Sequence, residues 1–173
     1  MSGLIHIKTV NQTTGTATVS LTGATANTPY LVTMNNLKTA NNAKNPRFRL
    51  TKTSDSSADG TAEYDAVTKS FRTDTTYNYG SGSDATSHSL GNIGTGSNQQ
   101  EAINGFLYFY NLVDAAEYTY HTTELCYIHE NETFFGQIGG GVHTVTQSNN
   151  GIQFFEGGGD NITGKFSLYQ VVT

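Results

Sequence analysis

Five histidines, at positions 6, 88, 121, 129 and 143, and a single cysteine, Cys126, are the residues of this 173-residue chain best suited to metal binding or proton transfer. None of the histidines lies in a His-Glu-x-x-His helix or at zinc spacing from cysteines. His121 and His129 are both odd-numbered and could share one face of a strand, with Glu124, Glu130 and Glu132 close by. Strand geometry nevertheless sets them roughly 26 Å apart, too far to share a metal unless the chain folds back between them. The expectation is therefore satisfied surface histidines and no metal site. Cys126 stands between Leu125 and Tyr127 in an expected strand, where burial disfavours the thiolate, so it reads as a packing residue.

Nucleophilic catalysis needs a hydroxyl or thiol held beside a base, and no Gly-x-Ser-x-Gly elbow occurs; Gly80-Ser81-Gly82-Ser83-Asp84 reads as a linker-like loop. Gly159, Gly164 and Lys165 nearly spell a phosphate-binding loop. Phe166, however, stands where the magnesium-binding hydroxyl belongs, and the residues after it alternate as a strand does. Gly157 to Gly159 is better read as a turn and Gly164 as a close-packing strand glycine. The acids Asp55, Asp59, Glu63, Asp65 and Asp74 cluster in an expected loop without the regular spacing of an EF-hand, which favours a solvated surface over an active site. No catalytic residues and no cofactor are expected.

The elements that would position these residues are strands. Val19 and Leu21 continue an alternation begun at Ala17, Phe48 and Leu50 alternate with Arg47, Arg49 and Thr51, and Ile162, Gly164, Phe166 and Leu168 alternate with polar neighbours. Less regular candidates are Leu4 to Val10, Tyr30 to Asn35, Phe106 to Leu112, Tyr118 to Ile128, Phe134 to Ile138, Val142 to Val145 and Ile152 to Phe155. Gly/Asn/Ser-rich turns separate them, and only Val113 to Glu117 suggests a helical turn. About ten short strands without βα alternation predict an all-β, jelly-roll-like antiparallel sandwich, with a barrel as second choice.

Length and composition limit what such a sandwich can be. At 18.6 kDa the chain fits a single domain over 1–173. A net charge of −5 argues against nucleic-acid binding and anionic lipid, and no apolar run has the length of a membrane span. One cysteine rules out an intramolecular disulfide. The first residues lack a signal-peptide pattern, so the chain is expected to be soluble and synthesised in a cytoplasm. From about residue 52 to 102 the composition turns polar, predicting a long excursion with one or two strands near Tyr64 to Phe71 and an exposed segment near Asn78 to His88.

The aromatic residues carry the strongest functional signal. Phe106-Leu107-Tyr108-Phe109-Tyr110-Asn111-Leu112 places large side chains on both faces of a strand, while a two-layer sandwich buries one face only. Phe134-Phe135 and Phe154-Phe155 repeat the pattern. The second face must be covered by the excursion or, the preferred reading, by a partner subunit. Phe106, Tyr108, Phe109, Tyr110, Phe134, Phe135 and Tyr169 are the interface candidates; Tyr77 and Tyr79 are candidate glycan contacts under a second reading.

Asn161-Ile-Thr-Gly-Lys-Phe-Ser-Leu-Tyr-Gln-Val-Val172 resembles the "ni-sG-f-LYGi" ending of a group of tailed-bacteriophage virion proteins. Gly151 to Phe155, Ala17 to Leu21 with Tyr30 to Val32, Arg47 to Leu50 followed by a Ser/Asp/Gly run and Tyr64, and Asn104 to Leu107 resemble other short motifs of that group. The similarity runs from about Gly15 to Val172, with Gln170 replacing the usual glycine after Leu-Tyr. The resemblance implies a jelly-roll module on the virion surface and brings no catalytic residues. It suggests a capsid decoration (cement) protein that binds the major capsid protein or other virion proteins and stabilises the head shell, guessed to be a homotrimer at lattice three-fold points. The alternative is a receptor-binding knob of a tail or head fibre that recognises host surface glycans.

Overall fold

The computed structural model describes residues 3–74, 77–90, 95, 97, 98, 100–130 and 132–172. These form twelve strands and, among the described residues, no helix: β1 (Gly3–Thr16), β2 (Thr18–Thr22), β3 (Tyr30–Thr39), β4 (Pro46–Lys52), β5 (Tyr64–Arg72), β6 (Tyr77–Ala85), β7 (His88–Ser89), β8 (Ile103–Tyr110), β9 (Thr119–Ile128), β10 (Phe134–His143), β11 (Asn149–Glu156) and β12 (Ile162–Val172). Every pairing is antiparallel. An eight-stranded sheet runs β1-β12-β3-β8-β9-β10-β5-β6, and a four-stranded sheet runs β2-β11-β4-β7.

The expected jelly-roll sandwich is present, in an expanded form. Setting aside β1, β12 and the β8–β9 hairpin leaves β2-β11-β4-β7 and β3-β10-β5-β6, the two four-stranded sheets of a jelly roll in its winding order. The hairpin enters between β3 and β10, while β12 and β1 extend the sheet beyond β3. The larger sheet is thus twice as wide as its partner, which covers its inner face only in part.

Alternation explains the core. Val19, Leu21, Phe48, Leu50, Ile152 and Phe154 of the small sheet pack against Val32, Met34, Leu107, Phe109, Phe166 and Leu168 of the large one, all buried. Phe48 meets Phe109 edge-on at 5.5 Å between ring centroids, and Phe154 lies 5.0 Å from Phe166. Burying one such side chain contributes about 1.5–3 kcal/mol, enough for periodicity alone to select the face. Tyr30 fastens the β2–β3 connection: its hydroxyl accepts the N–H groups of Thr25 and Ala26 and donates to the Ala26 carbonyl at 2.7 Å.

Several local expectations change. The first strand is longer than Leu4 to Val10 because all of Gly3–Thr16 lies along the β12 edge. Ala17 is exposed, since the chain leaves the large sheet there to begin β2 in the small one. Phe134 to Ile138 and the start of Val142 to Val145 merge into β10 through Gly139-Gly140-Gly141, which carry no apolar signal, and the strand ends at His143, short of Val145. Val113 to Glu117 is a loop. The excursion carries three strands, β5, β6 and β7, between Tyr64 and Ser89, and Gly80 to Asp84 belongs to β6 instead of a linker. Its strands β5 and β6 extend the large sheet beyond β10, whereas the alternative had the excursion covering the second face of β8; on that face Tyr110 is exposed and Phe106 and Tyr108 are half-buried. Gly159 occupies the expected turn after β11 with φ +88°, and Gly164 is the close-packing glycine, its missing Cβ 3.0 Å from Leu37 Cα.

Candidate functional site

Directly opposed residues of a ladder share a face, so the strand register defines what the large sheet presents outward. Across β8, β9, β10, β5 and β6 the outer rungs are Tyr110, Tyr120, Val142, Asp65; then Tyr108, Thr122, Gly140, Val67, Ser81; then Phe106, Glu124, Ile138, Lys69, Tyr79; then Cys126, Gly136, Phe71, Tyr77. Phe134 closes the series beside Ile128. Eight of these side chains are large, apolar and exposed: Val67, Phe71, Tyr77, Tyr79, Tyr110, Tyr120, Phe134 and Ile138. The inward rungs hold Leu107, Phe109, His121, Leu125, Tyr127, Phe135 and His143, all buried.

The interface candidates therefore divide. Tyr110 and Phe134 are exposed, Phe106, Tyr108 and Tyr169 are half-buried, and Phe109 and Phe135 are fully buried, which makes the last two core residues and removes them as contacts. A two-sided strand still puts every second ring inward. Tyr77 and Tyr79 are 62% and 76% exposed. The Lys69 ammonium lies 4.9 Å and 5.6 Å from their ring centroids and 5.5 Å from that of Phe71, a cation–π cluster on the outer face. Cys126 is exposed on the same outer face, contrary to the buried position expected for it. Its even position opposes that of Leu125 and Tyr127, so packed neighbours in sequence say nothing of its own side.

At the other end of this face lies a groove of about 650 Å³ lined by Tyr110, Tyr120, Val67, Asp65, Ser81 and Ser83, with Gly140 in its floor. Gly140 is obligatory, because a Cβ there would stand 2.7 Å from the His121 carbonyl oxygen. The Asp84 N–H donates to Asp65 Oδ1 at 2.8 Å.

Behind the groove the sequence reading needs its largest correction. His88, His121, His129 and His143 are buried instead of surface residues. Three of them come together from β7, β9 and β10: His88 and His121 rings lie 4.1 Å apart, and Tyr64 sits 5.0 Å from His88 and 4.3 Å from His143. Asp59, expected in a solvated loop, is buried and lies 3.5 Å from His143. Burial pushes its carboxyl upward, but hydrogen bonds from Thr61 and Gln147 and the nearby His143 outweigh that and hold it below the usual carboxylate value. Burial depresses His88 to about 2, with His121 and His143 reinforcing the effect, and depresses His121 to about 3. It also lowers His143, opposed by Asp59 and Glu63. At neutral pH these imidazoles are packing rings. The available signal was parity, since His121 and His143 fall in step with Leu125, Tyr127 and Phe135.

Tyr64 ties the cluster to the small sheet. Its hydroxyl accepts the Leu50 N–H at 3.1 Å and donates to the Asp59 carbonyl at 2.9 Å, and burial raises its pKa well above the usual phenol value. Tyr64→Phe leaves that N–H and carbonyl without their partner, so urea denaturation should register a loss of about 1–3 kcal/mol. Among the described residues, no three His, Cys, Asp or Glu side chains are arranged to hold a metal ion.

No family model, curated protein or solved structure matches this chain. Function has to be read from the geometry of the outer face itself.

Proposed function

We propose that this chain is a non-enzymatic structural protein of a tailed-bacteriophage virion, a capsid decoration protein that docks on the head shell through one end of its large sheet. The observation that carries the reading is the cluster of Phe71, Tyr77 and Phe134, exposed together at the β5–β6 and β9–β10 end of the face, with exposed Ile138 on the rung next to Phe71. Single exposed apolar residues are ordinary, but a contiguous group marks an association surface. The resemblance of Asn161 to Val172 to phage virion proteins supports the major capsid protein or another virion protein as the partner of that surface. A symmetric homo-oligomer, a trimer at three-fold lattice points, would present several such patches at once.

The test is binding of the purified protein to expanded heads that lack it, followed by heat challenge of the heads. The wild-type chain should bind saturably and raise the temperature of head disruption. A Phe71→Ser/Tyr77→Ser/Phe134→Ser variant should bind at least about tenfold more weakly, since exposed aromatic anchors dominate interface energies, and should keep the wild-type melting temperature. Heads indifferent to the protein, or a triple variant that binds as well as wild type, would refute the assignment. The receptor-knob alternative has its support at the opposite end of the face, in the groove.

A further inference from the structure

We infer that the groove between Tyr110, Tyr120 and Val67 is a binding site for a neutral hexose unit of a glycan. Its volume of about 650 Å³ falls within the roughly 300–1,000 Å³ typical of small-ligand sites. Its Val67 and Gly140 rung lies about 7 Å along the strands from Ile138 of the docking patch and about 13 Å from Phe71, so the two surfaces adjoin on one face.

The chemistry of the lining selects the ligand. Tyr110 and Tyr120 are directly opposed across β8 and β9, and both rings remain exposed, 38% and 46%. A pyranose ring has an apolar face of C–H groups that stacks on such rings and a rim of hydroxyls that demands donors and acceptors. Among the described residues, the hydroxyls of Tyr110, Tyr120, Thr122, Ser81 and Ser83 have no hydrogen-bond partner, and neither has Asp65 Oδ2 after Oδ1 has accepted the Asp84 N–H. That rim can serve several sugar hydroxyls, with the carboxylate as the strongest acceptor.

The same lining excludes other occupants. Among the described residues no lysine or arginine borders the groove and Asp65 is its only charged group, which disfavours sialylated, sulfated or phosphorylated ligands.

The experiment is titration of the full chain with a panel of neutral oligosaccharides in gluco, galacto and manno configuration, together with sialylated and sulfated ones, read by calorimetry and saturation-transfer NMR. At least one neutral member should bind saturably, and the anionic members should not. Tyr110→Ala and Tyr120→Ala should each weaken binding about tenfold, the loss expected of an aromatic stacking partner. Tyr120→Phe, which preserves the ring, should keep most of the affinity and guards against misfolding of the alanine variants. Tyr79→Ala and the Phe71/Tyr77/Phe134 triple variant should bind sugar like wild type, so the two surfaces fail or succeed separately. Absence of binding across the neutral panel, preference for anionic glycans, or binding indifferent to Tyr110 and Tyr120 would overturn the assignment.

Discussion

Acidification from pH 7 to about pH 4 should unfold this protein, with the loss of stability beginning near pH 6.5 and not near the carboxylate range. In the unfolded chain His88 and His121 take up protons at the ordinary value of 6.5, whereas in the fold burial depresses them to about 2 and about 3. The unfolded state thus binds more protons between pH 6.5 and about 3, and stability must fall as pH falls through that window. Above pH 6.5 neither state is protonated and the two rings add no pH dependence. Each contributes about 1.4 kcal/mol per pH unit, so the pair costs about 3 kcal/mol per unit, against a typical total of about 5–15 kcal/mol.

The neighbours steepen the same trend. His143 is also depressed, though Asp59 and Glu63 oppose the shift, and Asp59 is held low, so its stabilisation too is lost as pH drops through the carboxylate range. The His88 and His143 Nδ1 atoms have no hydrogen-bond partner among the described residues, so neither proton would find an acceptor there. Urea melts at successive pH values test the point. His121→Leu should roughly halve the slope between pH 6 and 4, and His88→Leu/His121→Leu should remove most of it. A midpoint constant from pH 7 to 4, or a double variant as acid-sensitive as wild type, would refute the account.

Gly151→Ala should abolish the folded state. Gly151 lies in β11, which is paired on both sides, with β2 and β4, and a Cβ there would stand 1.9 Å from the Leu21 carbonyl oxygen and 2.8 Å from Thr22 Cα. Both obstacles are backbone, and neither neighbour can retreat without breaking the small sheet that closes the core. The expected loss is about 4 kcal/mol or more, which places most of the protein in inclusion bodies or leaves it without a cooperative melt. Gly136→Ala is the matched control: its Cβ would meet nothing within 4 Å on the exposed face, and the change should fall within about 0.5 kcal/mol of wild type. Equal behaviour of the two variants would mean that the β2–β11 contact is looser than described.

Much of the fold was legible because strand periodicity is a local property. Ile162, Phe166 and Leu168, like Phe48 and Leu50, announce their buried face by alternation, and all five are buried. The outer aromatic face was legible in part: two-sided strands implied that some rings would remain outside, and Tyr110 and Phe134 do. Which ring of each pair faced the core was not, because a one-residue change of register exchanges the two faces and leaves the composition unchanged. Phe109 and Phe135 were misassigned for that reason. Within the excursion, β6 escaped notice because Gly80, Ser81, Gly82 and Ser83 are poor strand formers that lie on the sheet edge through their pairing with β5.

By itself, the sequence determined the all-β class, the polarity of its alternating strands, the shortage of charge and the excess of aromatic residues over what one core can hold. Only the tertiary structure decided that His88, His121 and His143, from three strands in two sheets, share one buried cluster, and that Tyr110, Tyr120 and Asp65 border one groove. Periodicity is set by neighbours a few residues away, whereas those meetings depend on register between segments far apart in sequence order, such as Tyr64 and His143, 79 positions apart, which no local pattern encodes.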